Sequence, residues 1–82
     1  MITVQYYAPI RGVTGVTEET LDAATVRDVV RHIQKTYGKE AHKAAKSALV
    51  VVNDVSIGQL AEWKTKLSDG DVVGFLPLCG GG

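Results

Sequence analysis

Asp69-Gly70-Asp71-Val72-Val73-Gly74-Phe75-Leu76-Pro77-Leu78-Cys79-Gly80-Gly81-Gly82 is the stretch on which the reading of this chain turns. Asp69-Gly70-Asp71 is a turn signal, and it launches an apolar strand from Val72 to Leu78. Three glycines follow the strand directly. A core strand running into residues without side chains predicts an anchored, narrow, extensible tail whose useful atom is the final carboxylate. From Pro77 the five residues to Gly82 reach at most ~16–18 Å, at roughly 3.3–3.6 Å each. That is long enough to enter another protein's cleft while the folded body stays outside.

Composition narrows what such a tail can belong to. With 82 residues the expectation is one small domain, and a hydrophobic share of 45% is enough for a packed core. We expect a folded body over residues 1–78 and a flexible glycine tail over 79–82. Nine basic residues balance nine acidic ones, so no basic excess points to nucleic acid. A single cysteine cannot form an internal disulfide. Met1 leads straight into a strand pattern without a signal-peptide profile, and no apolar run approaches the ~20 residues that span a bilayer. The expectation is a cytoplasmic protein without membrane contact.

Upstream, Ile2, Val4, Tyr6 and Ala8 alternate with Thr3, Gln5 and Tyr7, the period of a strand with one buried face. Pro9, Gly12 and Gly15 read as a hairpin loop, and residues 16–22 as a returning edge strand carrying the adjacent acids Glu18 and Glu19. Leu21 and Ala23 favour one face of that strand and Val16 the other. Thr25-Val26-Arg27-Asp28 matches a capping box. Behind it, Val26, Val29, Val30, Ile33 and Tyr37 share one helical face, and Gly38 suits the helix end, giving a helix of about 13 residues.

Residues 39–47 are alanine-rich and predict a loop with a short helix. Leu49-Val50-Val51-Val52 predicts a central strand buried on both faces. Asn53-Asp54 turns the chain into a very short strand at Val55-Ser56-Ile57. Leu60, Trp63 and Leu67 anchor an irregular connection to the last strand, with Lys64 and Lys66 facing water. A helix following a hairpin must cover one face of the sheet. The economical arrangement is α+β: a mixed four- to five-stranded sheet with one main helix packed across it, a ubiquitin-like β-grasp.

On three of these segments the chain resembles the MoaD/ThiS family of sulfur carriers. They are Ile2-Thr3-Val4-Gln5-Tyr6-Tyr7-Ala8-Pro9-Ile10-Arg11, Thr25-Val26-Arg27-Asp28, and the turn, strand, proline and glycine end from Leu67 onward. The aromatic pair before Arg11, together with the length, favours the molybdopterin branch over the thiazole-forming one. The resemblance covers nearly the whole chain and implies a small subunit of molybdopterin synthase, itself non-catalytic. It further implies that an ATP-using adenylating enzyme (MoeB/ThiF-like) activates the Gly82 carboxylate. A thiocarboxylate then forms and donates sulfur toward the molybdenum or tungsten cofactor, alongside a MoaE-like large subunit. The chain itself would hold no cofactor and no metal; ATP is used by the activating enzyme. Gly81 and Gly82 would be the reacting end, with Tyr7, Arg11, Phe75, Leu76, Pro77, Leu78 and Gly80 meeting partners.

The chemistry asks for such an end. A free α-carboxylate has a pKa of ~3.3–3.7, so it is ionised and unreactive at neutral pH until adenylated. Glycine lets backbone and carbonyl approach the reacting partner closely. Two features depart from the family pattern: Cys79 precedes three glycines in place of a bulkier residue before two, and residues 59–66 form a longer stretch than usual. Two other uses of an adenylated tail fit the same residues, conjugation to lysines as a ubiquitin-like modifier and sulfur transfer for thiazole synthesis.

Single residues add little catalytic chemistry. Nothing beside Cys79 would lower its pKa, which favours a small spacer over a sulfur relay. His32 and His42 lack ligand spacing for a metal, and no serine–histidine–acid set is legible. Val73 and Phe75 share the parity that should face the helix. Leu76 and Leu78 share the other and, with Tyr7, predict an exposed apolar patch near the tail.

Overall fold

The computed structural model describes residues 1–7 and 10–77. Expectations that fall on Ala8, Pro9, Leu78, Cys79, Gly80, Gly81 and Gly82 therefore lie outside the described residues. Five strands form one mixed sheet: β1 (Ile2–Tyr6), β2 (Glu18–Leu21), β3 (Leu49–Val52), β4 (Val55–Ser56) and β5 (Val72–Leu76), in the order β2-β1-β5-β3-β4. β1 and β5 run parallel at the centre, and every other pair is antiparallel. Among the described residues three α-helices accompany the sheet: α1 (Ile10–Thr14), α2 (Val26–Tyr37) and α3 (Lys39–Ser47). The topology is the β-grasp expected from the hairpin–helix order.

Alternation builds the core as the sequence dictates. Val4, Tyr6, Val73, Phe75 and Val50 project from the sheet to one side, where Val26, Val29 and Ile33 of α2 meet them, all buried. α2 begins at the reciprocal cap read from the sequence. The Thr25 hydroxyl accepts from the Asp28 amide at 3.3 Å, and the Asp28 carboxylate accepts from the Thr25 amide at 3.2 Å. Gly38, at φ +96°, ends α2 in a backbone region that L side chains avoid.

Several expectations require correction. The connection after β1 is not a plain loop, because residues 10–14 wind into α1, which buries Ile10. The second strand begins at Glu18, two residues later than expected, with Val16 exposed. Glu19 and Leu21 take the inward parity, and the strand lies at the sheet edge as expected. Residues 39–47 are helical throughout. Ala41 and Ala45 are fully buried, and their small size allows α3 to lie close against α2.

β3 is covered on one face only. Val50 and Val52 are buried, while Leu49 is exposed and Val51 half-buried. Leu60 is exposed, and Ile57 supplies the buried anchor expected of it. The long connection to β5 contains two 3-10 turns, Ile57–Gln59 and Glu62–Lys64, with Trp63 and Leu67 packed at the core's margin. Asn53 and Asp54 both have positive φ, 50° and 69°, the pair of left-handed residues that a two-residue hairpin turn needs.

Candidate functional site: the open sheet face at the tail exit

With every helix on one side, the other face of the sheet stays open. The register sets what it displays. Leu49 lies opposite Leu76, and the Tyr7 amide donates to the Phe75 carbonyl at 3.1 Å, so Tyr7, Leu76 and Leu49 form a row across three strands. Next along the strands, Gln5, Gly74, Val51 and Ser56 form a second row. The apolar row is the one that borders Pro77, where the described chain ends.

A groove of about 510 Å³ runs along this face. Tyr7, Val51 and Leu76 wall it, Gly74 is its floor, and Asn53 and Asp54 close its far end. Gly74 is required by close approach. A Cβ there would stand 3.2 Å from Val51 Cγ2 and 3.3 Å from Leu76 Cδ1. Its absence lets those side chains and Tyr7 lean inward over the backbone. The Asn53 end is rigidly built: its amide group donates to the Asp71 carboxylate at 3.0 Å, its side-chain oxygen accepts from the Val72 amide at 3.0 Å, and its own amide donates to the Val72 carbonyl at 2.8 Å. Hydrogen bonds from the Ser68 amide and Asn53 hold the Asp71 carboxyl below its ordinary pKa.

Of the residues expected at this site, the structure gathers Tyr7, Leu76 and Pro77 at one end of the sheet. Arg11 is exposed nearby on α1, its amide donating to the Tyr7 carbonyl at 3.0 Å. Phe75 departs from the expectation. Its side chain is fully buried and stacks on Tyr6, with ring centroids 6.0 Å apart, so it cannot present itself to a partner. Its strand parity points it to the helices. Leu78, Gly80, Gly81 and Gly82 lie outside the described residues. The sequence reading missed Leu49, Val51 and Gly74. The unbroken apolar run 49–52 hid an alternation that only the exposure of its odd members reveals.

The same end carries a polar cluster on the helical side. Glu19 accepts hydrogen bonds from the Tyr6 hydroxyl at 2.5 Å and the Tyr37 hydroxyl at 2.9 Å, and lies 3.2 Å from His32 Nε2. Burial works to raise the Glu19 pKa, but these three hydrogen bonds outweigh it and hold the carboxyl below its ordinary value. Burial first, then the bond to Glu19, pushes Tyr37 up to about 12 and Tyr6 higher still. The cluster ties edge strand, central strand and helix together. Among the described residues no group of three His, Cys, Asp or Glu side chains could hold a metal ion, and no helix is long and apolar enough to cross a membrane.

Comparison with known proteins places this geometry. A family model described as the ThiS family matches residues 4–82. No curated protein matches the chain. Among solved structures, the small archaeal modifier protein 1 (SAMP1) of Methanosarcina acetivorans is 26% identical, with a TM-score of 0.83, over 99% of this chain and 95% of that one. A Pyrococcus furiosus protein described as a candidate molybdopterin converting factor, subunit 1, is 31% identical, with a TM-score of 0.64, over 93% of this chain and 94% of that one. The complex of subunits 1 and 2 of the Helicobacter pylori molybdopterin-converting factor contains a chain of the same fold, 24% identical with a TM-score of 0.69, over 99% of this chain and 97% of that one.

Proposed function

The chain belongs to the ThiS family, and from that premise we propose that it is a sulfur carrier acting as the small subunit of a molybdopterin synthase. The observation that carries the reading is the apolar row Tyr7–Leu76–Leu49, which borders the strand end leading into Leu78-Cys79-Gly80-Gly81-Gly82. A partner seated on that row would sit beside Pro77, the residue from which the glycine segment follows in sequence. Similarity to the Pyrococcus furiosus subunit 1 supports the assignment to this branch.

The proposed activation of the C-terminal carboxylate has two balanced steps. A Gly82 carboxylate oxygen attacks the α-phosphorus of ATP on the adenylating enzyme, forming the acyl-adenylate and releasing pyrophosphate. Hydrosulfide then attacks the acyl carbon, forming the C–S bond as the C–O bond to AMP breaks, and leaves a thiocarboxylate. That sulfur is delivered to substrate held by a large subunit, and hydrolysis returns the carboxylate. The carrier's own part is to anchor the tail, dock each partner in turn and bring the acyl carbon within reach. Incubation with a competent adenylating enzyme, ATP and a sulfur donor should add the mass of one oxygen-to-sulfur exchange at Gly82. An unchanged mass would sink the reading. Complementation of a strain lacking the molybdopterin subunit tests the branch.

A second reading is favoured by the likeness to SAMP1, a modifier protein by its description. In it a lysine amine attacks the same acyl-adenylate and an isopeptide forms. Lysines bearing a Gly82 remnant in cell digests would favour it; complementation without such conjugates would favour the carrier.

A further inference from the structure

We propose that the helical side carries a second docking surface, a basic groove that receives an acidic, carboxylate-bearing segment of a partner protein. The groove, of about 260 Å³, lies between α2, α3 and the Glu62–Lys64 turn. Arg27 and Arg31 line it from α2, His42 and Lys46 from α3, and Trp63 from the turn, over a floor that includes buried Val30. Among the described residues, Arg27, Arg31 and Lys46 have no carboxylate within ion-pairing distance. The surface is independent of the tail and of the sulfur-carrier reading.

The charge is segregated, not merely present. α2 and α3 hold six of the nine basic residues and two of the nine acidic ones. Neither of the two acids adjacent to groove residues in sequence pairs with a cation of the groove. Asp28 is turned back to the amides of Ala24 and Thr25 at the helix cap. The Glu62 carboxylate faces Gly58, where an added Cβ would stand 3.9 Å from it. Glu62 itself has φ +55°, a left-handed backbone conformation that residues with a side chain rarely adopt. The turn is held in this form with Trp63 against the groove and Lys46 Nζ 4.4 Å from the ring centroid.

A short acidic segment fits better than a polyanion. Carboxylates can pair with Arg27, Arg31 and Lys46 while an aliphatic side chain rests on Trp63 and Val30. A nucleic acid would run beyond the groove onto a surface where acids dominate, since the chain's total charge is zero. Because the groove faces away from the open sheet, a partner held here leaves that face and the tail free for another.

The chain's single tryptophan reports occupancy. A short glutamate-rich peptide containing leucine, titrated into the protein at low salt, should change Trp63 fluorescence saturably. At about 0.15 M salt, where the Debye length is ~8 Å, binding should weaken but persist. The double reversal Arg27→Glu/Arg31→Glu, at exposed positions, should weaken it roughly tenfold. A lysine-rich peptide should give no saturable signal. No signal with the acidic peptide, equal affinity in the double variant, or tighter binding of oligouridylate at matched salt would each overturn the proposal. Should the double variant fail to fold by circular dichroism, Lys46→Gln measured by calorimetry decides: unchanged peptide affinity overturns the proposal, and a several-fold loss sustains it.

Discussion

The Tyr6 hydroxyl, on a side chain buried in the core, donates to the Glu19 carboxylate of the neighbouring edge strand at 2.5 Å. Glu19→Ala strands that hydroxyl and also frees Tyr37, so it should cost about 1–3 kcal/mol in chemical denaturation. A loss below ~0.5 kcal/mol would show that the cluster contributes nothing net.

The cluster also sets a pH dependence of known sign. The Glu19 pKa is lowered in the fold, so its contribution is present above the ordinary carboxylate range and is lost as pH falls through the folded value. Tyr37 is raised to about 12, so its contribution is complete below pH ~10 and is lost as pH rises toward that value. Thermal unfolding followed against pH should fall at both ends, and Tyr37→Phe should flatten the alkaline limb. An alkaline limb unchanged in that variant assigns the loss to other groups.

Ala45 is fully buried where α3 packs against the rest of the helical layer. Ala45→Leu should destabilise by about 1–3 kcal/mol through overpacking, whereas Lys43→Leu, on the exposed side of the same helix, should be near neutral. Equal tolerance at both positions would mean that the helix is loosely held.

Leu76→Glu places a charge in the middle of the apolar row while leaving the core parity intact. The variant should fold normally by circular dichroism. It should lose at least about tenfold in affinity for the adenylating enzyme or the large subunit, as a central apolar contact does. Full retention of both affinities would remove the open face from the proposed mechanism.

Deleting Gly82 leaves two glycines at the end and shortens the reach from Pro77 by roughly 3.3–3.6 Å. A misplacement of ~1 Å can cost about 100-fold in rate. We expect fold and partner binding to survive and sulfur delivery to fail. Thiocarboxylate formation and product synthesis, measured separately, locate the failing step. Near-normal output would mean that the tail is slack.

Much of the fold is local chemistry and was legible. The capping box at Thr25 and Asp28, the period of two in β1, and the Asn53-Asp54 turn each depend on a few neighbouring residues. Misreadings came where the deciding partner is distant in sequence. The alanines of α3 bury little each, and only α2 lying alongside makes their smallness an advantage. Glu19 read as an edge-strand acid, and nothing nearby announced that Tyr6, His32 and Tyr37 converge on it. A tyrosine in a core register, whose hydroxyl needs a partner, was the available signal. The face of β3 was misread because valine serves both a buried and a half-open position.

β5 is hydrogen-bonded on both edges, to parallel β1 and to antiparallel β3. A pull on residues beyond Pro77 directed along the strand therefore loads both ladders in shear. The bonds resist together, where an edge strand peeled sideways would surrender them one at a time. Any such pull would be borne by the centre of the sheet and not by its edge.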